Sequence, residues 1–129
     1  AEDCGTVLNP QIVAGQQHGA IAMGLPGVLF EEVIYDVTGQ NTTGTLADYL
    51  VATCGDLPNI EIVHMNTPNQ KTPLGIKGMA EGGVMGAIGS LMNAANSACS
   101  DLKIQVNQQP LTPMYLRRLI REASARTDV

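Results

Sequence analysis

The sequence has no tryptophan, few other aromatic residues and little charge. Aromatic residues make up 3% of the 129 residues, so the core has to be built from aliphatic side chains. Charged residues make up 15%, whereas about 25% is typical of a soluble domain. A surface this poor in charge indicates that other protein covers part of it. We therefore interpret the chain as a piece of a larger assembly.

Cysteine is also scarce, and its spacing excludes two kinds of site. Cys4, Cys54 and Cys99 lie far apart, and no CxxC pair is present. The pattern therefore encodes neither a structural zinc site nor an iron–sulfur cluster. Three separated cysteines are typical of reduced thiols in a cytoplasmic protein, and we predict that location.

The charge balance and the lack of long apolar runs argue against two classes of partner. The formal net charge is −5, whereas nucleic-acid binding needs a clustered basic face. No apolar run approaches the roughly 20 residues of a transmembrane helix, and the acidic start at Ala1–Cys4 has no signal pattern. We predict neither nucleic-acid binding nor membrane insertion. The lack of an initiating Met suggests a processed chain or one cut from a longer polypeptide.

The apolar pattern predicts an α+β fold in which short strands are interleaved with helices. Helical spacing predicts helices over residues 10–23, 83–100 and 113–125. Alternating and β-branched stretches predict short strands near residues 5–9, 32–36, 60–65 and 103–106. Nothing divides the chain, so residues 1–129 are predicted to form a single segment.

The first predicted helix carries a polar residue on its inward face. Leu25-Pro26-Gly27 punctuates this helix, and residues 28–35 are either a continuing helix or a strand, with a helix end that passes into a strand at about residues 32–36 favoured. Gln16 lies at helical spacing with Val13 and Ala20 and should share their buried side. Since buried polar groups need partners, Gln16 is expected to bond to backbone or to a ligand.

A glycine-rich segment, Gly75-Ile-Lys-Gly-Met-Ala-Glu-Gly-Gly, carries a single carboxylate, Glu81. Glycine allows another molecule to approach the backbone closely, so a carboxylate there is a candidate acid or base beside a ligand. Acidic residues are also favoured near helix N-termini, and a helix is predicted to follow. Local chemistry leaves both interpretations open and favours the second.

Three blocks of sequence carry a more specific signal when taken in order. Residues 3–10 read DCGTVLNP, residues 15–24 read GQQHGAIAMG, and residues 73–83 read PLGIKGMAEGG. Together they resemble the C-terminal part of the molybdenum-binding large subunit of the xanthine dehydrogenase / aldehyde oxidase / carbon monoxide dehydrogenase family. The resemblance runs from Asp3 to about Arg121. It covers nearly all of this chain but only the last fraction of such a subunit.

The resemblance implies a molybdopterin-dependent oxidoreductase that is active only with the rest of the subunit. It would hydroxylate an aldehyde or an N-heterocycle carbon, with water as the oxygen source. Glu81 matches the family's catalytic base, which takes the proton from the molybdenum-bound hydroxyl. Gln16 and Met79 match positions that contact the molybdenum–pterin cofactor, either as molybdopterin or in its cytosine dinucleotide form. Ala80 stands where many members have glycine.

The resemblance also implies partners. These are the remainder of the molybdenum-binding subunit, subunits carrying iron–sulfur clusters and FAD, and a small-molecule substrate. An alternative function belongs to a different class: a non-catalytic structural or assembly module that retains the family scaffold.

Overall fold

Three α-helices, joined by long irregular segments, make up most of the regular structure in residues 1–127, the part of the chain that this computed structural model describes. They are α1 (Pro10–Leu29), α2 (Gly82–Ala98) and α3 (Pro113–Thr127). The predictions for α2 and α3 are confirmed to within two residues at each end. Short 3-10 turns lie at Cys54–Asp56, Pro73–Gly75 and Ser100–Leu102.

The α1 helix begins where the sequence predicts and ends later. The Asn9 side chain accepts a hydrogen bond from the Ile12 N–H at 3.1 Å, and Pro10 occupies the first helical position. The predicted end near Met23 is wrong, because the helix continues through Pro26 to Leu29. Pro26 and Val28 are fully buried. The free energy gained by burying this last turn exceeds the cost of the one backbone hydrogen bond that a proline removes.

The buried face of α1 is rotated by about one residue from the predicted face. The buried residues of α1 are Val13, Gln17, Ala20, Gly24, Pro26 and Val28. Gln16, predicted to face inward, is exposed. Its neighbour Gln17 is 3% exposed and takes the inward position. Periodicity allowed both rotations, and packing against α2 selects the observed one.

The predicted strands are not confirmed, and neither is the α+β description that depends on them. In residues 1–127, β-pairing is limited to three isolated bridges, Glu2 with His64, Gly5 with Ile76 and Tyr35 with Asn41. The 60–65 segment meets Glu2 in a single parallel bridge. A strand is stabilised by neighbours along its whole length, and the described residues provide them at isolated positions only.

Residues 103–106, a further predicted strand, are held by a side chain instead. The Asn96 amide donates to the Val106 carbonyl at 2.8 Å and accepts from the Val106 N–H at 2.8 Å. These two bonds take the place of a ladder partner and tie the segment to α2.

Of the helices in residues 1–127, none combines the length and apolar character needed to cross a membrane.

The packing of α1 against α2 is unusually close because glycines lie at the contact. A Cβ atom on Gly83 would lie 2.9 Å from the Ala20 Cβ, and one on Gly24 would lie 3.0 Å from the Val84 carbonyl oxygen. Real side chains rarely approach so closely, so this crossing needs glycine at both positions. The contact brings the first turn of α2 onto the middle of α1.

Asp3 ties the N-terminal segment to the loop that precedes α2. One carboxylate oxygen accepts the N–H groups of Gly5 and Thr67, each at 3.0 Å. The other oxygen pairs with the Lys77 Nζ at 2.7 Å. The Lys77 ammonium, followed by the Thr67 N–H, holds the pKa of Asp3 well below its ordinary value. Backbone bonds from Lys77 to Cys4 (2.8 Å) and from Thr6 to Gly75 (3.2 Å) reinforce this connection.

We predict that Gly83→Ala lowers the free energy of unfolding of the chain by about 1–3 kcal/mol, because the added methyl forces α1 and α2 apart. The matched control is Gly89→Ala on the same helix, where an added Cβ meets nothing within 4 Å. That variant should gain roughly 0.5–1 kcal/mol from helix propensity. Urea unfolding measures both. Equal effects of the two substitutions would contradict the close crossing.

A second prediction concerns the acid stability of the Asp3 anchor. Because folding lowers the pKa of Asp3, its stabilising contribution is complete above the unfolded-state value of about 4 and is lost as the pH falls below it. Asp3→Asn should therefore destabilise the chain at neutral pH and flatten the loss of stability between about pH 4 and pH 2. Urea midpoints across this range measure the slope. Asp101→Asn, at an exposed position outside the anchor, is the control for the loss of one carboxylate.

Candidate functional site

Glu81 lies at the N-terminal boundary of α2, where its backbone starts the helix and its side chain is left unused. The Glu81 carbonyl accepts the Val84 N–H at 3.1 Å. Its side chain makes no capping hydrogen bond. The carboxylate is exposed and has no hydrogen bond or ion pair within residues 1–127. Glu81 therefore lies at a helix N-terminus, as the second interpretation expects, and its carboxylate is not engaged within the described residues.

The structure brings the segments of Gln16 and Glu81 together at the helix crossing. A Cβ on Gly83 would lie 3.4 Å from the Gln17 carbonyl oxygen, so the first turn of α2 rests on the turn of α1 that carries Gln16. The Gln16 side chain is exposed and makes no hydrogen bond within the described residues. Met79 is half-buried, two residues before Glu81 on the same segment. All three predicted site residues thus belong to two adjoining segments.

Hydrogen-bond donors are also available at this end of α2. The N–H groups of Gly82 and Gly83 have no partner within residues 1–127, as expected for the first turn of a helix. Free N–H groups at a helix N-terminus favour anionic or carbonyl oxygens. The two segments therefore present the Glu81 carboxylate, the Gln16 amide and the backbone N–H groups at the start of α2, none of which is hydrogen-bonded within residues 1–127.

Lys77, which precedes Glu81 in the glycine-rich segment, has a positional role. Its ammonium pairs with Asp3, not with Glu81. This long-range ion pair could not be read from the local sequence, because the two residues are 74 positions apart. It fixes the loop that leads to Met79 and Glu81.

A cleft of about 470 Å³ lies between α1, α2 and residues 61–63. Gln17 lines this cleft, and its Oε1 atom is buried without a hydrogen-bond partner among residues 1–127. Gln17 is not among the site residues that the sequence predicts. Gln17 lies four residues after Val13 and three before Ala20, a spacing that places all three residues on one helix face. This spacing is the feature of the sequence that indicates a buried position for Gln17.

The site contains no cluster of protein metal ligands. Across the described part of the chain, no group of three or more His, Cys, Asp or Glu side chains could hold a metal ion. A metal at Glu81 would therefore take its ligands from a cofactor or from protein outside these residues.

Comparison with known proteins gives a consistent result. Residues 1–58 match the family described as molybdopterin cofactor-binding domain. The nicotine 6-hydroxylase large subunit of Paenarthrobacter nicotinovorans is 39% identical over 87% of this chain and 14% of that protein. The xanthine dehydrogenase molybdenum-binding subunit of Escherichia coli O157:H7 is 33% identical over 88% of this chain and 15% of that protein.

A solved structure agrees with these sequence matches. The crystal structure of quinoline 2-oxidoreductase from Pseudomonas putida 86 covers 94% of this chain with a TM-score of 0.89 and 45% identity. The chain in turn spans 15% of that structure and 14–15% of the two relatives named above. The chain therefore belongs to the family of molybdenum-binding large subunits that includes those of xanthine dehydrogenase and carbon monoxide dehydrogenase, and it matches a fragment of such a subunit.

Proposed function

We propose that the chain is the part of a molybdenum hydroxylase that supplies the catalytic base, Glu81. The observation that carries this proposal is the unengaged carboxylate of Glu81, on the turn of α2 that packs against the Gln16 segment. Near a helix N-terminus the helix dipole favours the ionised form of a carboxylate, which is the form that a base needs. Glu81 leaves its side chain free on a backbone fixed by the helix crossing.

The uncommitted groups around Glu81 fit an oxygen-rich pterin cofactor. The Gln16 amide and the N–H groups of Gly82 and Gly83 are free donors, and Met79 would supply an apolar contact. The molybdenum–pterin group would supply the redox centre of the reaction. The pterin would itself provide ligands to the molybdenum. A cluster of metal-binding side chains, which the described residues lack, would therefore not be needed.

Glu81 would accept a proton from the water-derived hydroxyl group that is transferred to the substrate. A general base has to lie within hydrogen-bond reach of the proton that it removes. The anchor between Asp3 and Lys77 and the crossing at Gly83 both limit the positions that Glu81 can take. Rigid support of this kind favours a positioned base over a mobile surface carboxylate.

The substrate class that the comparisons favour is an N-heterocycle, with an aldehyde as the alternative. Nicotine and quinoline, named in two of the similar proteins, are both N-heterocycles. The partners we propose are the rest of the large subunit and subunits with iron–sulfur clusters and FAD, in the cytoplasm. These partners would carry electrons away from the site.

We predict that Glu81→Gln, made in the complete enzyme complex, lowers turnover by about 10²- to 10⁴-fold and leaves the molybdenum content almost unchanged. The amide keeps the size of the side chain and loses its ability to accept the proton. Substrate oxidation with a dye as electron acceptor measures turnover, and elemental analysis measures molybdenum. Glu32→Gln, at an exposed carboxylate on another segment, is the control. Normal turnover of Glu81→Gln would refute the assignment.

Gln16 has a different expected signature, because its proposed role is to bind the cofactor. Gln16→Leu removes the amide and should lower the cofactor affinity of the complex by about fivefold, the effect of one hydrogen bond. Gln11→Leu, at an exposed position on the same helix, is the matched control. Pterin and molybdenum content per complex measure the loss.

A wild-type complex that contains no molybdenum would instead favour a non-catalytic scaffold.

A further inference from the structure

The cleft between α1, α2 and residues 61–63 is lined by both donors and acceptors that lack partners. The donors belong to Gly82 and Gly83, whose N–H groups make no hydrogen bond within residues 1–127. The acceptors include the Gln17 Oε1 and the Glu2 carboxylate. A site with both kinds of group matches a ligand whose polar edge donates and accepts hydrogen bonds.

Gln17 carries the acceptor that most needs a partner. The residue is 3% exposed, yet its Oε1 has no hydrogen-bond partner among residues 1–127. A buried acceptor without a donor destabilises the folded state, so such groups are rare in native structures. A ligand that donates a hydrogen bond to this oxygen would remove the penalty. The position of Gln17 in the cleft lining therefore indicates a donor in the cleft.

The Glu2 carboxylate lies against the first residue of α2. Its backbone is fixed, because the Glu2 N–H donates to the Val63 carbonyl at 3.0 Å and its carbonyl accepts the Met65 N–H at 2.9 Å. A Cβ added to Gly82 would collide with the Glu2 carboxylate. The carboxylate forms no ion pair or hydrogen bond within the described residues. It is therefore a second acceptor beside the free N–H groups of α2.

The walls of the cleft suit a flat ring. They include the aliphatic side chains of Ile21, Leu25 and Leu91 and the methyl group of Ala87. The volume of about 470 Å³ lies within the range of about 300–1,000 Å³ that small-molecule and cofactor sites occupy. Such sites typically have apolar walls and a few placed polar groups, as this cleft has.

We infer that the cleft binds the ring system of the pterin cofactor, and that Glu2 and Gln17 recognise its amino edge. A pterin carries an amino group beside a ring N–H, and these two parallel donors resemble a guanidinium fork, which pairs with a carboxylate. They would donate to Glu2. The second N–H of the amino group would donate to the Gln17 Oε1, and the ring carbonyl would accept from the start of α2. This inference rests on the proposed function and adds two residues to Gln16 and Met79.

The combination of donors and acceptors favours a pterin over other occupants. A Lys or Arg side chain from other protein would satisfy the acceptors but has no acceptor for the N–H groups of α2. Cytosine, the base of the dinucleotide form, has one amino group beside a ring acceptor and cannot donate in parallel to a carboxylate. Quinoline carries no N–H and would leave Gln17 and Glu2 unmatched.

A binding role for Gln17 predicts effects in opposite directions on two measurements. In the complete complex, Gln17→Leu should accelerate release of the pterin by about five- to tenfold, the effect of one hydrogen bond. In the complex prepared without cofactor, it should raise the melting temperature by about 1–2 °C, because an unpaired buried acceptor becomes an apolar side chain. The fluorescence of the oxidised free pterin measures release. Gln11→Leu, at an exposed position on α1, is the control.

A purely structural role for Gln17 would give a different result. Gln17→Leu would then lower the melting temperature of the cofactor-free complex, because it would remove a side chain that the fold needs. That outcome, or an unchanged rate of pterin release, would overturn the inference.

Glu2→Gln tests the carboxylate in the same release measurement. The amide keeps the size of the side chain and loses one of the two parallel acceptors, so release should accelerate by about tenfold or more. Glu32→Gln, at an exposed carboxylate outside the cleft lining, should release the pterin at the wild-type rate. Equal rates for the two variants would overturn the pairing proposed for Glu2.

Filling the cleft tests the site without changing its polar groups. Gly86 lines the cleft, and a Cβ added there meets nothing within 4 Å. Gly86→Leu should therefore leave the helix intact and lower the pterin content of the complex by about tenfold or more, because leucine and the ring compete for one space. Gly89→Leu is the matched control, since its added Cβ also meets nothing and Gly89 lies outside the cleft lining.

Two results with Gly86→Leu would overturn the inference. Full pterin content would show that the ring lies elsewhere, and a complex that no longer assembles would show that protein fills the cleft. None of these measurements uses turnover. Normal pterin retention in the Gln17 and Gly86 variants would leave the assignment of Glu81 as the base intact, and normal turnover of Glu81→Gln would leave the pterin measurements intact.

Discussion

The close crossing of α1 and α2 is the constraint on which the rest of the described structure depends. Gly24 and Gly83 allow the two backbones to approach more closely than side chains would permit. The crossing sets the rotation of α1, so Gln17 is buried and Gln16 is exposed. It also holds the first turn of α2 in place, and the position of Glu81 follows from it.

The surface carries large exposed apolar side chains and little charge. Val37 and Leu46 are 105% and 87% exposed, which is unfavourable for large apolar side chains in water. Under the proposed function both features have one explanation, because surface that other protein covers needs neither polar side chains nor charge for solubility. A chain that spans 14–15% of its relatives is expected to leave such surfaces open.

Local patterns predicted the helices well and the extended segments poorly. The start of α1 follows from Asn9 and Pro10, which act within one turn. Its end could not be predicted from Pro26, because burial of the last turn outweighs the helix-breaking tendency of proline. The 60–65 stretch has the alternation of a strand but only one bridge. Strand formation depends on neighbours, and those neighbours are not specified by the stretch itself.

The sequence by itself determined the family and the candidate residues, since the blocks around Gln16 and Glu81 are short, contiguous and specific. Only the tertiary structure decided which of two adjacent glutamines faces the core, because helical periodicity tolerates a rotation that packing does not. It also decided that Lys77 pairs with Asp3, 74 positions away, and that the Glu81 carboxylate remains unpaired. Contacts between distant residues depend on how the whole chain packs, and no local pattern encodes them.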